Sequence, residues 1–218
     1  MFVEVTLSLL KGFLSTVELF ALTLLFALPL GLLIGLGEKS KIKVISLPLK
    51  FIIWVIRGTP LMLQLLLIFY GPGILFGYNV WGGNSLGRFV AALVAFVINY
   101  SCYFAEIYRG GIQSIPVGQY EAAEVLGYTK TQTFMRIILP QVIKIIMPSV
   151  TNEVITLVKD TSLAFTLAYA EVFSLAKQIS ASQSSFMPFL IAGVFYFVAN
   201  YVVEFLMVRI EKSMDYYK

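Results

Sequence analysis

The sequence contains no histidine and a single cysteine, Cys102, in 218 residues. Without histidine it lacks the commonest metal ligand and the one side chain whose ordinary pKa lies near neutrality. A lone cysteine inside an apolar run leaves no disulfide framework. Charge is scarce too: Asp, Glu, Lys and Arg make up 13% of the chain, about half the share usual in a soluble domain. No Gly-rich phosphate loop ending in Lys-Ser or Lys-Thr occurs. The common nucleophilic triads and zinc sites are out of reach, so the chain is not expected to be an enzyme. The net charge of +4 comes from basic residues at the ends of apolar runs, which does not point to nucleic acid.

Apolar residues are abundant, at 59% of the chain. They fall into runs near the ~20 residues a helix needs to cross the hydrocarbon. Five spans are predicted, over residues 13–36, 51–70, 86–108, 137–158 and 186–208. The first run is too long for a signal-peptide core and lacks a basic leader and a small-residue cleavage site, so it reads as a retained helix. The expected fold is all-α: an integral membrane protein in the lipid bilayer, with one transmembrane domain over residues 1–218.

Basic residues set the expected orientation. Lys39, Lys41, Lys43 and Lys50 lie in the first connection, Arg109, Lys130 and Arg136 in the third, and Arg209, Lys212 and Lys218 in the tail. The second connection, 71–85, is uncharged, and the fourth, 159–185, balances Lys159 and Lys177 against Asp160 and Glu171. The N terminus is therefore expected outside and the C terminus in the cytoplasm. Residues 71–77 read as apolar and broken, and 163–176 as an apolar stretch able to form a short helix. Such segments survive at membrane depth only where protein or a water-filled cavity covers their backbone, so both are expected to line an outer vestibule.

The third connection carries Glu121-Ala122-Ala123-Glu124-Val125-Leu126-Gly127, then Ile137-Ile138-Leu139-Pro140. Glu121 and Glu124 are read as early helical residues, where carboxylates suit the positive end of the dipole. Ala122 and Ala123 would allow close approach, Leu126 and Tyr128 offer apolar contact, and Gly127 can end the helix. By itself such a segment could be an ordinary amphipathic connector. In full it resembles the EAA loop of ABC-importer permeases: Glu-Ala-Ala, three residues, Gly, nine residues, Ile, one residue, Leu-Pro.

Further blocks resemble the polar amino-acid permeases of that class. They are Arg57-Gly58-Thr59-Pro60-Leu61 with Gln64, Glu106-Ile107-Tyr108-Arg109-Gly110-Gly111, Gly118-Gln119, and Lys159-Asp160-Thr161-Ser162-Leu163. The resemblance extends over roughly residues 13–210. It implies a permease subunit in a bacterial cell (inner) membrane, paired with a second permease subunit (itself or a related chain). It implies ATP-binding cassette subunits that hold ATP and Mg, so that this chain carries no cofactor, and an extracellular solute-binding protein. The loop at about 110–136 would be cytoplasmic, with a short coupling helix docking on the ATPase. For Arg-Gly-Thr-Pro the residues themselves say only that Pro60 starts or kinks a helix and that Gly58 packs closely.

The substrate clue lies in the fourth span. Glu153 and Asp160 are seven residues apart, close to two helical turns, so both carboxylates face one way. A charge within a span costs ~2.5–3.5 kcal/mol on insertion scales, and nothing three or four residues away is cationic. The compensating cation comes from another helix or subunit, from protonation, or from a ligand. A basic amino acid such as arginine, lysine or histidine fits: Glu153 would read the side chain, Asp160 would hold the ammonium, and Asn99, Ser101, Thr151, Thr156 and Ser162 would complete the pocket. Asn152-Glu153-Val154 resembles the histidine and basic amino-acid branch. The alternatives are a structural pair of Glu153 with Arg57 or Arg88, a permease for glutamine or a broad range of polar amino acids, a proton-coupled secondary transporter, and a non-transporting scaffold.

Overall fold

A computed structural model describes residues 2–214, which are helical nearly throughout and contain no strand. Four segments are long and apolar enough to cross a bilayer: Phe2–Glu38, Ser85–Ser114, Lys130–Leu167 and Met187–Ser213. The first is one helix, α1, reaching back well before the expected start at 13. Its extra turns keep their backbone hydrogen bonds inside the helix, which low-dielectric surroundings demand.

A fifth crossing, if counted, is a bent pair, α2 (Lys43–Gly58) and α3 (Leu61–Phe76), whose axes differ by 111°. The continuous span expected over 51–70 is therefore broken in its middle. Pro60 supplies no N–H and disfavours helical geometry in the residue before it; Thr59 is extended, with φ −120° and ψ 146°. The expected break at 71–77 is absent. α3 runs through Gly71-Pro72-Gly73 and stops at Gly77, whose φ of +75° suits glycine and whose N–H donates to Gly73 O at 3.0 Å.

Asn84 caps α4 (Ser85–Ser114), its Oδ1 accepting from Gly87 N at 2.8 Å. The polar connection that follows forms α5 (Val117–Val125) and α6 (Lys130–Thr133). A π-helical turn, Phe134–Ile138, leads into α7 (Leu139–Asp160), and a 3-10 turn, Thr161–Leu167, leaves it. The single short helix expected over 163–176 is thus divided: the chain reverses at Ala168 (φ +52°) and starts α8 (Val172–Gln183). The last helix, α9, is Met187–Ser213.

The core is built on α1 against α4. A Cβ on Gly31 would lie 2.7 Å from Phe104 Cβ, and one on Gly35 2.8 Å from Ala105 O. These glycines, four apart, present the small-x-x-x-small surface that lets membrane helices touch through their backbones. Ala27, Ala91, Ala92, Ala95, Phe96, Tyr100 and Phe104 continue this packing. A second cluster joins Val5 and Leu9 of α1 to Val172 and Ala176 of α8 and to Ile191 and Ala192 of α9. At its edge the buried Glu171 caps α8, accepting from Ser174 N at 2.6 Å and Phe173 N at 2.7 Å, and Tyr196 donates its hydroxyl to the same carboxylate at 2.8 Å. Burial outweighs these hydrogen bonds and pushes the Glu171 carboxyl up to about 7.

Candidate functional site

The bend between α2 and α3, the middle of α4 and the end of α7 enclose a cavity of about 380 Å³. The bend contributes Thr59, Pro60 and Leu61; α4 contributes Asn99, Tyr100 and Tyr103; α7 contributes Glu153, Thr156 and Asp160, with Leu163 from the turn beyond. Spacings of three, four and seven residues put each helix's set on one face. Gln64 holds the bend. Its Nε2 donates to Ile56 O (2.8 Å), Thr59 Oγ1 (2.9 Å) and Thr59 O (3.1 Å), and its Oε1 accepts from Asn99 Nδ2 at 2.9 Å. One amide thus meets carbonyls freed by the proline break and fastens the bend to the cavity wall. On the far side, the Tyr100 hydroxyl donates to Asp160 Oδ2 at 2.8 Å.

None of the lining side chains is cationic. The two structural pairings considered for Glu153 do not form. Arg57 Nη1 is 3.5 Å from Glu106 Oε2, with its guanidinium 5.3 Å from the centre of the Tyr103 ring; Arg88 Nη1 donates to Ala168 O at 3.1 Å. Arg57 acts on Glu153 only through its longer-range charge.

Of the residues expected in a pocket, Asn99, Glu153, Thr156 and Asp160 come together. Ser101, Thr151 and Ser162 do not. Ser101 is fully buried on the α1 side of α4, where its carbonyl would lie 3.0 Å from a Cβ on Gly31. Thr151 is buried away from the cavity with no hydrogen-bond partner for its hydroxyl, and Ser162 donates to Lys159 O at 2.7 Å. Thr59, Pro60, Leu61, Tyr100, Tyr103 and Leu163 were missed. Tyr103 could have been found as the residue one turn beyond Asn99, whereas nothing in the sequence shows that the proline break folds onto α7.

Beyond the cavity an ion-pair chain follows α4 toward α5. Glu106 accepts from Arg109 Nη2 at 2.6 Å and from its Nε at 3.2 Å, and Arg109 Nε is 3.6 Å from Oε1 of the buried Glu38 at the end of α1. Lys39, next to Glu38, has its ammonium pKa lowered by burial and then by the Arg109 charge.

The α5 loop departs from expectation at three residues. Glu121 stands at the middle of α5 and Glu124 near its end, past the first turn where the helix dipole favours a carboxylate. Ala123 is buried, turned toward the protein rather than outward. Glu121, Ala122, Glu124, Leu126, Gly127 and Tyr128 are exposed, as are Val117 and Val125, whose part in this surface was missed because they lie outside the motif's specified positions. Gly127 ends the helix as expected. With φ +79°, its N–H donates to Glu124 O and that of Tyr128 to Ala123 O, both at 3.0 Å, the paired bonds of a Schellman motif. Beside it Tyr120, Glu124, Tyr128, Lys130 and Phe134 line a groove of about 550 Å³.

The family described as binding-protein-dependent transport system inner membrane component matches residues 27–216. The L-cystine transport system permease protein TcyB of Bacillus subtilis is 34% identical over 94% of this chain and 86% of its own length. The arginine transport system permease protein ArtQ of the same organism is 31% identical over 94% and 92%. The putative glutamine transport system permease protein GlnP of Rickettsia conorii is 31% identical over 94% and 91%. Among solved structures, a chain of an amino acid ABC transporter with histidines superposes with a TM-score of 0.86 at 36% identity, covering 97% of this chain and 96% of that one. A chain of the MetNI methionine ABC transporter shares the fold, with a TM-score of 0.75 at 18% identity.

Proposed function

We propose a cargo and an arrangement for a chain that belongs to the binding-protein-dependent transport system inner membrane components and is the permease subunit of an amino-acid ABC importer, not an enzyme. The cargo is a basic amino acid. The observation that carries this reading is the cavity itself: two carboxylates, Glu153 and Asp160, with no cation among the lining side chains. A guanidinium or ammonium would neutralise them, and a guanidinium can engage a carboxylate through two parallel hydrogen bonds. Asn99 and Thr156 add neutral polar contacts, and the aromatic walls of Tyr100 and Tyr103 suit a cation. The relative named for arginine transport and the transporter solved with histidines agree with this; relatives named for cystine and glutamine mean that membership alone does not choose.

In this arrangement residues 1–218 act as one transmembrane domain in a bacterial inner membrane. The basic connections put α5 on the cytoplasmic side and the N terminus outside. Exposed Glu121, Ala122, Glu124, Leu126, Gly127 and Tyr128 meet an ATP-binding cassette subunit, which holds ATP and Mg. A second permease subunit completes the membrane part, and an extracellular solute-binding protein delivers cargo.

Calorimetric binding of L-arginine to the assembled importer, wild type and Glu153→Gln, tests the cargo, with L-glutamine as control. A lost hydrogen bond to a charged group is worth ~1.5–3 kcal/mol, roughly ten- to a hundredfold in affinity. Arginine should weaken by that factor and glutamine should not. Equal arginine affinity in the two proteins, or glutamine preferred by the wild type, would overturn the basic-cargo reading.

A further inference from the structure

Arg57 stands two residues before the wall formed by Thr59, Pro60 and Leu61, and its guanidinium lies over Tyr103, a ring that itself lines the cavity. Its anchor is shared. Glu106 gives both carboxylate oxygens to Arg109, at 2.6–3.2 Å, and holds Arg57 by one longer contact of 3.5 Å. The Arg57 side chain is 42% exposed. Glu153 has no ion-pair partner within 4 Å among the described residues, and Arg57 already acts on it electrostatically. A long, flexible, permanently charged side chain is therefore loosely held by one carboxylate and attracted by a second.

We propose that Arg57 is a specificity-determining residue: a tethered cation that competes with the cargo for Glu153. The proposal rests on the basic-cargo reading given above. With cargo in the cavity, Glu106 and Tyr103 park Arg57. Without cargo, Arg57 exchanges between Glu106, where it lies in this structure, and Glu153, which it neutralises for the smaller share of the time. A guanidinium or ammonium cargo displaces it because it offers Glu153 the same charge; a neutral amino acid does not. Apparent affinity is the intrinsic affinity reduced by the fraction of time Glu153 is open, so Glu106 sets the exchange between holding and release. This gives a role to the arginine of the Arg-Gly-Thr-Pro block, whose proline the bend already explains.

The test uses the importer assembled with its ATPase subunits, nucleotide-free, and calorimetry of L-arginine. Glu106→Gln removes the competing charge on Arg57 and should weaken arginine binding about tenfold, corresponding to Arg57 occupying Glu153 about nine-tenths of the time. Adding Arg57→Gln should restore wild-type or tighter binding. If both residues were only structural, the double variant would bind no better than the single one, and that result, or unchanged binding in Glu106→Gln, overturns the proposal. A wild type that binds no arginine overturns the cargo reading alone. The tether is then judged without ligand, by thermal unfolding of the permease carrying Arg57→Gln, Glu153→Gln or both. Their effects should be non-additive when Gln replaces Glu106 and additive when Glu106 is present; additivity in both backgrounds overturns it.

Discussion

Replacing Gln64 with methionine keeps the side chain's length and removes the amide that spans the α2–α3 break. The side chain is 6% exposed, so water cannot readily take its place. Thr59 Oγ1 keeps its bond to Val55 O at 2.9 Å and is not stranded. Ile56 O, left with only a 3.4 Å contact from Thr59 Oγ1, and Asn99 Nδ2 lose their close partners. An unsatisfied buried polar group costs ~1–3 kcal/mol, so Gln64→Met should destabilise the permease by about 2–5 kcal/mol. Denaturant unfolding in mild detergent measures this, as a cycle with Asn99→Leu. Because the two side chains share a hydrogen bond, the double variant should lose less than the sum of the singles, by at least ~0.5 kcal/mol. A Gln64→Met protein within ~0.5 kcal/mol of wild type, or strict additivity with Asn99→Leu, would refute the bracket.

Gly35→Ala should destabilise by about 1–3 kcal/mol, since its Cβ would meet the Ala105 carbonyl at 2.8 Å. Gly58→Ala, with nothing within 4 Å of its Cβ, should be neutral or stabilising; equal melting temperatures for the two variants would contradict the account of helix contact. The Glu171 carboxyl, raised from 4.5 to about 7, binds its proton more tightly in the folded protein than in the unfolded one. The stability this group contributes is therefore full below pH 4.5 and is lost as pH rises through 7, by roughly 3 kcal/mol. Melting temperature should fall between pH 5 and 8, Glu171→Gln should flatten the slope, and a rise over that window would contradict the assignment.

The helical class, the location of most spans and a polar connection between them were legible because each is written in short-range patterns: apolar runs of bilayer length and a polar stretch separating them. Glu153, Thr156 and Asp160 were legible together because one helix carries them at spacings that share a face. What was hidden depends on contact between distant segments. Pro60 shows in the sequence as a start or a kink, but the 111° bend and its closure onto α4 through Gln64 and Asn99 need the third dimension. Ser101 was misplaced because polarity does not say which side of α4 a residue faces, and its side belongs to the Gly31 contact. Ala123 failed similarly: a small residue suits a buried position under α5 as well as an exposed docking face.

The absence of side-chain cushioning between α1 and α4 has a mechanical meaning. Two helices in close contact at Gly31 and Gly35 have no layer of side chains between them there, so they form one post. Asn99, Tyr100 and Tyr103 are mounted on that post. Glu153, Thr156 and Asp160 ride instead on α7, entered through a π-helical turn and left through a 3-10 turn, the irregular geometries at which helices commonly flex. The two halves of the cavity thus differ in how they are mounted, one on a backbone-packed helix pair and one on a helix bounded by irregular turns, and the hydrogen bond from Tyr100 to Asp160 joins them.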